Sequence, residues 1–392
     1  MPRTMILRGG RIIDPANNVD RIADLTIQDG RIAPADGCTD APVVDVSGLL
    51  VCPGFIDLHV HLREPGQTHK EDIASGSAAA AGGFTTVVAM PNTLPPIDNP
   101  DILAEIQDII RNKAAVNVLQ SGALTEGRRG KRLTNATALA AAGAVALTDD
   151  GSCIQAAGLM LEAVRQAKAA GLPVIDHCED DSLAAGGAMN AGEIARSLGV
   201  SSQPSLAEEV MVARDILIAA HVGWPVHIQH ISATGSVELV RAAQKYGIPV
   251  SAEAAPHHLC FTHETCATHG ANAKMNPPLR TEADRLAVIA GLADGTISTI
   301  ATDHAPHTAD EKSVGMEAAP CGIIGLEAAV ALCLDVLVHR GALSMVQFVA
   351  AFTSGPRRVL GLQAGTLSPG MPADVTIIAP DRRHILRTDG FH

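Results

Sequence analysis

The apolar run VCPGFIDLHVHLREPG, residues 51–66, carries two histidines one residue apart, His59 and His61, and then Arg63. Side chains on a strand alternate between its two faces, so both imidazoles project from the same side. Two nitrogen donors at the end of a buried strand make half of a metal site. Further along, other short apolar runs end in the same residue types: LTDDG in Asp149 and Asp150, VIDHCED in His177, VHIQHIS in His230 and IATDHAPH in Asp303. The helical stretches between these runs hold few histidines. Any one of these residues could be a polar group at a strand end, but metal-ligand types at five strand ends are hard to attribute to packing.

Four histidines and two aspartates exceed what one tetrahedral zinc can use. They suit two divalent ions, zinc foremost, sharing a bridging carboxylate and a bridging water. In a two-ion arrangement His59 and His61 hold one ion and His177 and His230 the other. Asp150 bridges, with Asp149 as the competing bridge, and Asp303 binds the first ion while facing a water. Paired ions lower the pKa of a water between them and polarise a carbonyl. A carboxylate touching that water can take its proton and pass it to a leaving nitrogen. The chemistry is hydrolysis of an amide-like bond, with Asp303 as the catalytic group.

The elements that must bring these residues together follow from the chain pattern. Apolar strand-like runs fall at 51–60, 85–90, 116–121, 144–148, 173–177, 226–231, 248–254 and 297–302. Most are separated by Ala- and Leu-rich helical stretches such as GLMLEAVRQAKAAG and SVELVRAAQKYG, with Gly just past the end. Strands alternating with helices imply a parallel sheet. Eight such units predict an α/β fold of the (β/α)8, TIM-like barrel type, whose strand ends carry the chemistry. An open doubly wound sheet competes, but no GxGxxG follows the first strand. Both chain ends have a strand-and-turn texture punctuated by Gly-Gly, Asp-Gly and Pro. Residues 1–52 and 362–392 are therefore expected to form one small β-sandwich domain beside a hydrolase barrel over 53–361.

The composition narrows the ligand. A net charge of −13 and 2% aromatic residues over 392 residues argue against a nucleic-acid surface. No apolar stretch is long enough for a membrane helix, and the N-terminus lacks a signal-peptide core. The eight cysteines, at 38, 52, 153, 178, 260, 266, 321 and 333, form no CxxC pair and suit reduced thiols in a cytoplasmic protein. A small anionic ligand would then need local positive charge from a metal or a buried arginine.

PGFIDLHVHLREPG, GGFTTVVAMPNT, LTDDG, HCED, HIS, PHHL, KMNPPLR, ATDHAPH and GIIGLE stand in one order along nearly the whole chain. In this the chain resembles the class I, longer bacterial dihydroorotases of the cyclic amidohydrolase branch of the amidohydrolase superfamily. The resemblance implies reversible ring closure of N-carbamoyl-L-aspartate to L-dihydroorotate in pyrimidine biosynthesis. It implies the six metal ligands above, with Asp150 rather than Asp149 as the bridge. It also implies a substrate carboxylate held by Arg63 and Asn92 with help from His307, and a ring contacted by Asn276 and the backbone at Cys321 and Gly322. Arg63 suits that part, because its guanidinium offers a planar fork of donors; the bland alternative is an ion pair with Glu64. HTADEKSVGMEAAPCG, 307–322, reads as a lid. Two departures stand out. Many relatives bridge their ions with a carbamylated lysine where this chain has TDDG, and Cys321 replaces a bulkier aromatic. A homodimer and association with aspartate transcarbamoylase are compatible with such a chain. The rival readings are a hydantoinase or allantoinase, sharing the metals but not the carboxylate clamp, and a non-catalytic scaffold.

Overall fold

The computed structural model describes residues 4–34, 41–383, 385, 387 and 391. Cys38 and most of the chain beyond residue 383 lie outside the described residues. The first strands are β1 (Thr4–Asp14), β2 (Val19–Gln28), β3 (Arg31–Ile32), β4 (Val43–Asp45) and β5 (Leu50–Pro53). β1 and β2 form a hairpin through Pro15–Asn17, closed by Asn18 at φ 54°. Asp14 caps that turn at Ala16 and also accepts from the backbone N–H of Leu367 at 2.7 Å, which fastens the two ends of the chain together. Val375–Ile378 then pairs antiparallel with β5, while Ile32 donates to the carbonyl of Met371 at 2.9 Å. The terminal segment thus meets both ends of the sheet. The small β unit is one hydrogen-bonded six-stranded sheet in which Val375–Ile378, β5, β1, β2 and β3 follow one another and β4 pairs with β1. Leu7, Ile12, Leu25, Ile32, Val46, Val51 and Leu367 fill it.

The barrel starts directly after β5. Its strands are β6 (Phe55–Val60), β7 (Phe84–Ala89), β8 (Asn117–Gln120) and β9 (Val174–Asp176). A two-stranded excursion of β10 (Met189–Asn190) and β11 (Ser202–Gln203) follows, and then β12 (Val226–Ile228), β13 (Val250–Ala254) and β14 (Thr299–Ile300). β6, β7 and β8 pair in parallel, as do β9, β12, β13 and β14. Segment 144–148 joins the two groups through single bridges from Leu147 to Gly122 and to Val174, and Val60 bridges to His304 to close the ring. Eight parallel positions therefore circle the axis, and helices such as Pro100–Lys113, Ala157–Ala170 and Leu206–Val222 pack outside.

Two details differ from the sequence pattern. The run 51–60 is two strands in two sheets, divided at Gly54, where a Cβ would lie 2.0 Å from Thr85 Oγ1. Segment 144–148 pairs at one residue only, too little for a continuous ladder. Within the barrel, Ile56, Leu58, Val88, Met90, Ala146, Ile175 and Ala301 pack together. Ile175 and Ala301 stand two residues before His177 and Asp303, which lie just past the ends of β9 and β14. In β6 the pairing with β7 shifts register between Asp57 and Val60. That irregularity rephases the strand, so His59 and His61 continue the inward face of Ile56 and Leu58.

Candidate metal centre

The six ligand candidates converge at the C-terminal end of the barrel. His59 Nε2 lies 3.2 Å from Asp150 Oδ1 and 3.4 Å from Asp303 Oδ1. His61 Nε2 lies 3.0 Å from Asp303 Oδ1 and 3.4 Å from Asp150 Oδ2. His177 Nδ1 and His230 Nε2 are 2.9 Å apart, with the latter 3.9 Å from Asp150 Oδ1. Two triads result, His59–His61–Asp150 and Asp150–His177–His230, each with ligand atoms within 4.8 Å of one another. Asp150 belongs to both. Asp149 turns away, its carboxylate bonding Thr125, while Arg128 donates to the carbonyls of Asp149 and Asp150. Arg63, His230 and Asp303 all have positive φ, at 59°, 29° and 49°. Such backbone is costly for a residue with a Cβ and occurs where surrounding structure overrides it.

Three of the four imidazoles are oriented from behind, while the buried His230 Nδ1 has no hydrogen-bond partner. Asn92 Oδ1 lies 2.9 Å from His61 Nδ1, and Asn276 Nδ2 lies 3.3 Å from His177 Nε2. Glu253, on β13, bridges His59 Nδ1 at 2.9 Å and His227 Nε2 at 3.1 Å. These contacts leave Nε2 of His59 and His61 free to face the carboxylates. Glu71 meets His304 Nε2 at 3.1 Å, and His304 Nδ1 accepts from Gly325 N–H at the same distance. That pair steadies the turn carrying Asp303. The buried Arg280 reaches Ser232 Oγ and Asn190 Oδ1, each at 3.0 Å, and so braces the turn after His230. Sequence reasoning passed over Glu253 and Glu71. The available signal for Glu253 was an acid inside a buried strand.

The electrostatics ask for a cation. Burial opposes charge on His59, yet Asp150 and Asp303 outweigh it and hold its pKa well above the imidazole range. Asp150 is held well below the carboxylate range, chiefly by His59, although burial pushes the other way. His230 is pushed down to about 3 by burial and by the imidazoles of His177 and His59. The proton on His59 thus sits among carboxylates, where a divalent ion's charge would be. His59 Nε2 is fully buried and makes no hydrogen bond. Imidazole nitrogens and carboxylate oxygens at this spacing fit zinc or a similar divalent ion. A third buried group is formed by Asp176, Cys178 and Asp215. Arg214 already supplies its cation, at 3.1 Å from Asp176 and 2.8 Å from Asp215.

The other singled-out residues surround the mouth. Arg63 is buried, with Nε 3.3 Å from the carbonyl of Pro306 and NH2 3.2 Å from His307 Nε2. Glu64 pairs instead with Lys113 at 3.1 Å. His307 Nδ1 faces Glu311 at 3.2 Å, and Lys70 pairs with Glu311 at 2.8 Å, a link absent from the sequence reading. Burial and the neighbouring Arg63 and Lys70 push His307 down to about 4, so it is neutral at pH 7. Segment 307–322 is anchored rather than loose: Lys312 Nζ donates to the carbonyls of Ala271 and Pro320 at 3.0 and 2.9 Å, and Glu317 bonds Ser201. Gly322 has φ 143° and a Cβ there would lie 2.4 Å from the carbonyl of Ala305. Its N–H is taken by the carbonyl of Lys274 at 2.9 Å. Cys321 is half-buried beside it.

A family model described as dihydro-orotase-like matches residues 48–236. A dihydroorotase of Pelotomaculum thermopropionicum is 49% identical over 381 residues, covering 96% of this chain and 89% of that protein. The chain belongs to the dihydroorotase family. Further relatives are the dihydroorotases of Solibacter usitatus, 47% identical over 380 residues (96% and 88% covered), and of Bacillus caldolyticus, 51% over 350 residues (89% and 82%). Among solved structures, the L-hydantoinase (dihydropyrimidinase) of Arthrobacter aurescens superimposes with a TM-score of 0.85 at 25% identity, over 95% of this chain and 86% of that one. The dihydropyrimidinase of Brevibacillus agri NCHU1002 gives 0.83 at 22%, over 96% and 86%, a likeness of fold alone. The expected barrel with its small β unit is therefore the architecture of this dihydroorotase-family chain.

Proposed function

We propose that the chain is a dihydroorotase, interconverting L-dihydroorotate and N-carbamoyl-L-aspartate for pyrimidine biosynthesis. The observation that carries the reading is the pair of ligand triads sharing Asp150, with a buried arginine at the same mouth. His59, His61, Asp150, His177, His230 and Asp303 would hold one or two divalent ions, zinc by the donor set. Bound there, such ions acidify a water and polarise the ring carbonyl. Arg63 and Asn92 would bind the substrate carboxylate, with His307 turned toward them by Glu311. Asn276 and the backbone of Cys321 and Gly322 would border the ring.

In ring opening, Asp303 takes a proton from the attacking water and returns it to the ring nitrogen as the amide bond breaks. Ring closure reverses both transfers. Asp303 suits this because the imidazoles of His59 and His61 hold its pKa low, so it starts as the base. Residues 53–361 form the hydrolase unit in this reading, with 1–52 and 362–392 as its companion. Among the described residues no helix is long and apolar enough to cross a membrane; we place the enzyme in the cytoplasm.

The test is ring opening of dihydroorotate against hydantoin and allantoin. Turnover confined to dihydroorotate supports the reading; preference for hydantoin or allantoin overturns it.

A further inference from the structure

Two loops meet at the barrel mouth through linked polar contacts. The first follows β6 and carries both Arg63 and Lys70, joined by backbone hydrogen bonds from Gln67 N–H to Arg63 O and from Lys70 N–H to Gln67 O, each 3.0 Å. The second follows β14 and carries His307 and Glu311, one helical turn apart. Arg63 NH2 stands 3.2 Å from His307 Nε2, His307 Nδ1 stands 3.2 Å from Glu311 Oε2, and Lys70 Nζ stands 2.8 Å from Glu311 Oε1. Four side chains thus form one series: Arg63, His307, Glu311, Lys70.

Donor chemistry fixes the direction of each link. A guanidinium has donors and no acceptor, so the His307 nitrogen that faces Arg63 must accept. The imidazole is then neutral with its proton on Nδ1, and Nδ1–H donates to Glu311. Both oxygens of Glu311 are occupied: Oε1 takes Lys70, and Oε2 takes His307 together with the N–H of Thr308 at 3.0 Å. Burial opposes charge on Glu311, yet the hydrogen bonds from Lys70, Thr308 and His307 outweigh it and hold its pKa at about 2. The Glu311 side chain is 31% exposed and that of Lys70 only 10%. Without the ammonium, the carboxylate is free to swing into water and leave His307 Nδ1 without its acceptor. Arg63 has few other ties. Its Nε donates to the carbonyl of Pro306 at 3.3 Å, and among the described residues it pairs with no carboxylate.

We infer that Lys70 and Glu311 are positioning residues for recognition of the substrate carboxylate: together they present His307 as a neutral acceptor, and His307 aims the guanidinium of Arg63. This rests on the proposed dihydroorotase reading, in which Arg63 is the carboxylate's partner. A guanidinium already held in place loses less freedom when it forms the bidentate pair, so the series favours binding. Lys70 and Glu311 are not among the metal ligands, and their loss should act on binding rather than on the chemical step.

The test is steady-state ring opening of dihydroorotate by the full, metal-loaded chain, with metal content measured alongside. Lys70→Met and Glu311→Gln should each raise KM by about 10-fold or more while kcat stays within about twofold of the parent. Lys70→Arg keeps the charge and should hold KM within about threefold of the parent. Because both residues act through His307, the double variant should exceed the worse single variant by less than about threefold. A parent active on dihydroorotate whose two single variants keep its KM overturns the inference. So does a fall in kcat or metal content that matches the rise in KM, which marks a merely structural role. A parent that does not open dihydroorotate overturns the proposed function first, and the inference with it.

Discussion

Glu253 stands behind the metal centre, its carboxylate 2.9 Å from His59 Nδ1 and 3.1 Å from His227 Nε2, and it is 1% exposed. Burial alone would raise its pKa; the hydrogen bonds from His227 and His59 outweigh burial and hold it at about 2. Glu253→Gln keeps the volume and one acceptor for His59 but removes the charge. A carboxylate behind a ligating imidazole fixes the tautomer and strengthens the nitrogen donor, and its loss typically costs about 10–100-fold in metal affinity, or about 1.4–2.8 kcal/mol. The same substitution changes the acid stability of the metal-free protein. A folded pKa near 2 against an unfolded value near 4.5 contributes on the order of 3 kcal/mol. Because the folded pKa is the depressed one, that stabilisation is complete above about pH 4.5 and drains away as pH falls toward 2. The stability gap between parent and variant should therefore shrink across that window. Competition against a chromophoric chelator reads the affinity, and urea unfolding at several pH values reads the stability. Unaltered metal affinity in a folded Glu253→Gln protein would refute the claim that Glu253 sets the His59 donor.

Other perturbations reach the remaining parts of the account. Arg63→Ala should raise KM for dihydroorotate by the equivalent of roughly 2–4 kcal/mol, the cost of leaving a buried carboxylate unpaired, while metal content stays the same; steady-state kinetics with metal analysis decides it. Gly66→Ala should damage the same clamp from a distance. Gly66 has φ 87°, and a Cβ there would sit 1.8 Å from the carbonyl oxygen of Leu94, so the turn holding Arg63 must move. A higher KM in a folded protein is expected, and unchanged kinetics would contradict it. Arg214→Leu should destabilise the chain by about 3–5 kcal/mol in denaturant unfolding, since Asp176 and Asp215 would be left buried without their cation.

Much of this molecule is readable along the chain because a barrel turns linear order into radial order. Each strand ends at the same rim, so His59, Asp150, His177, His230 and Asp303 could be brought together by counting alternations of strand and helix alone. Reading failed where geometry departs from that rule. The run 51–60 looks like one strand because both halves are apolar, and only the close approach of Gly54 to Thr85 divides it between two sheets. The shift in β6 that re-aims His59 has no mark in the residue types. Glu253 was passed over because an acid in a strand usually points to water, and here it points to two imidazoles. Lys70 and Glu311 meet through loops more than two hundred residues apart, and charge pattern alone does not pair them. Asp149 and Asp150 are adjacent and alike; the hydrogen bonds of Asp149 to Thr125 are what separate their roles.

Divalent ions held jointly by residues at the C-terminal ends of β6, segment 144–148, β9, β12 and β14 are the core of the account. Stripping the purified chain by chelation and titrating zinc back, while following ring opening of dihydroorotate, tests it most directly. Activity should vanish on stripping and return in proportion to metal, levelling off at one or two ions per chain. Full turnover in protein shown by elemental analysis to be free of metal would contradict it.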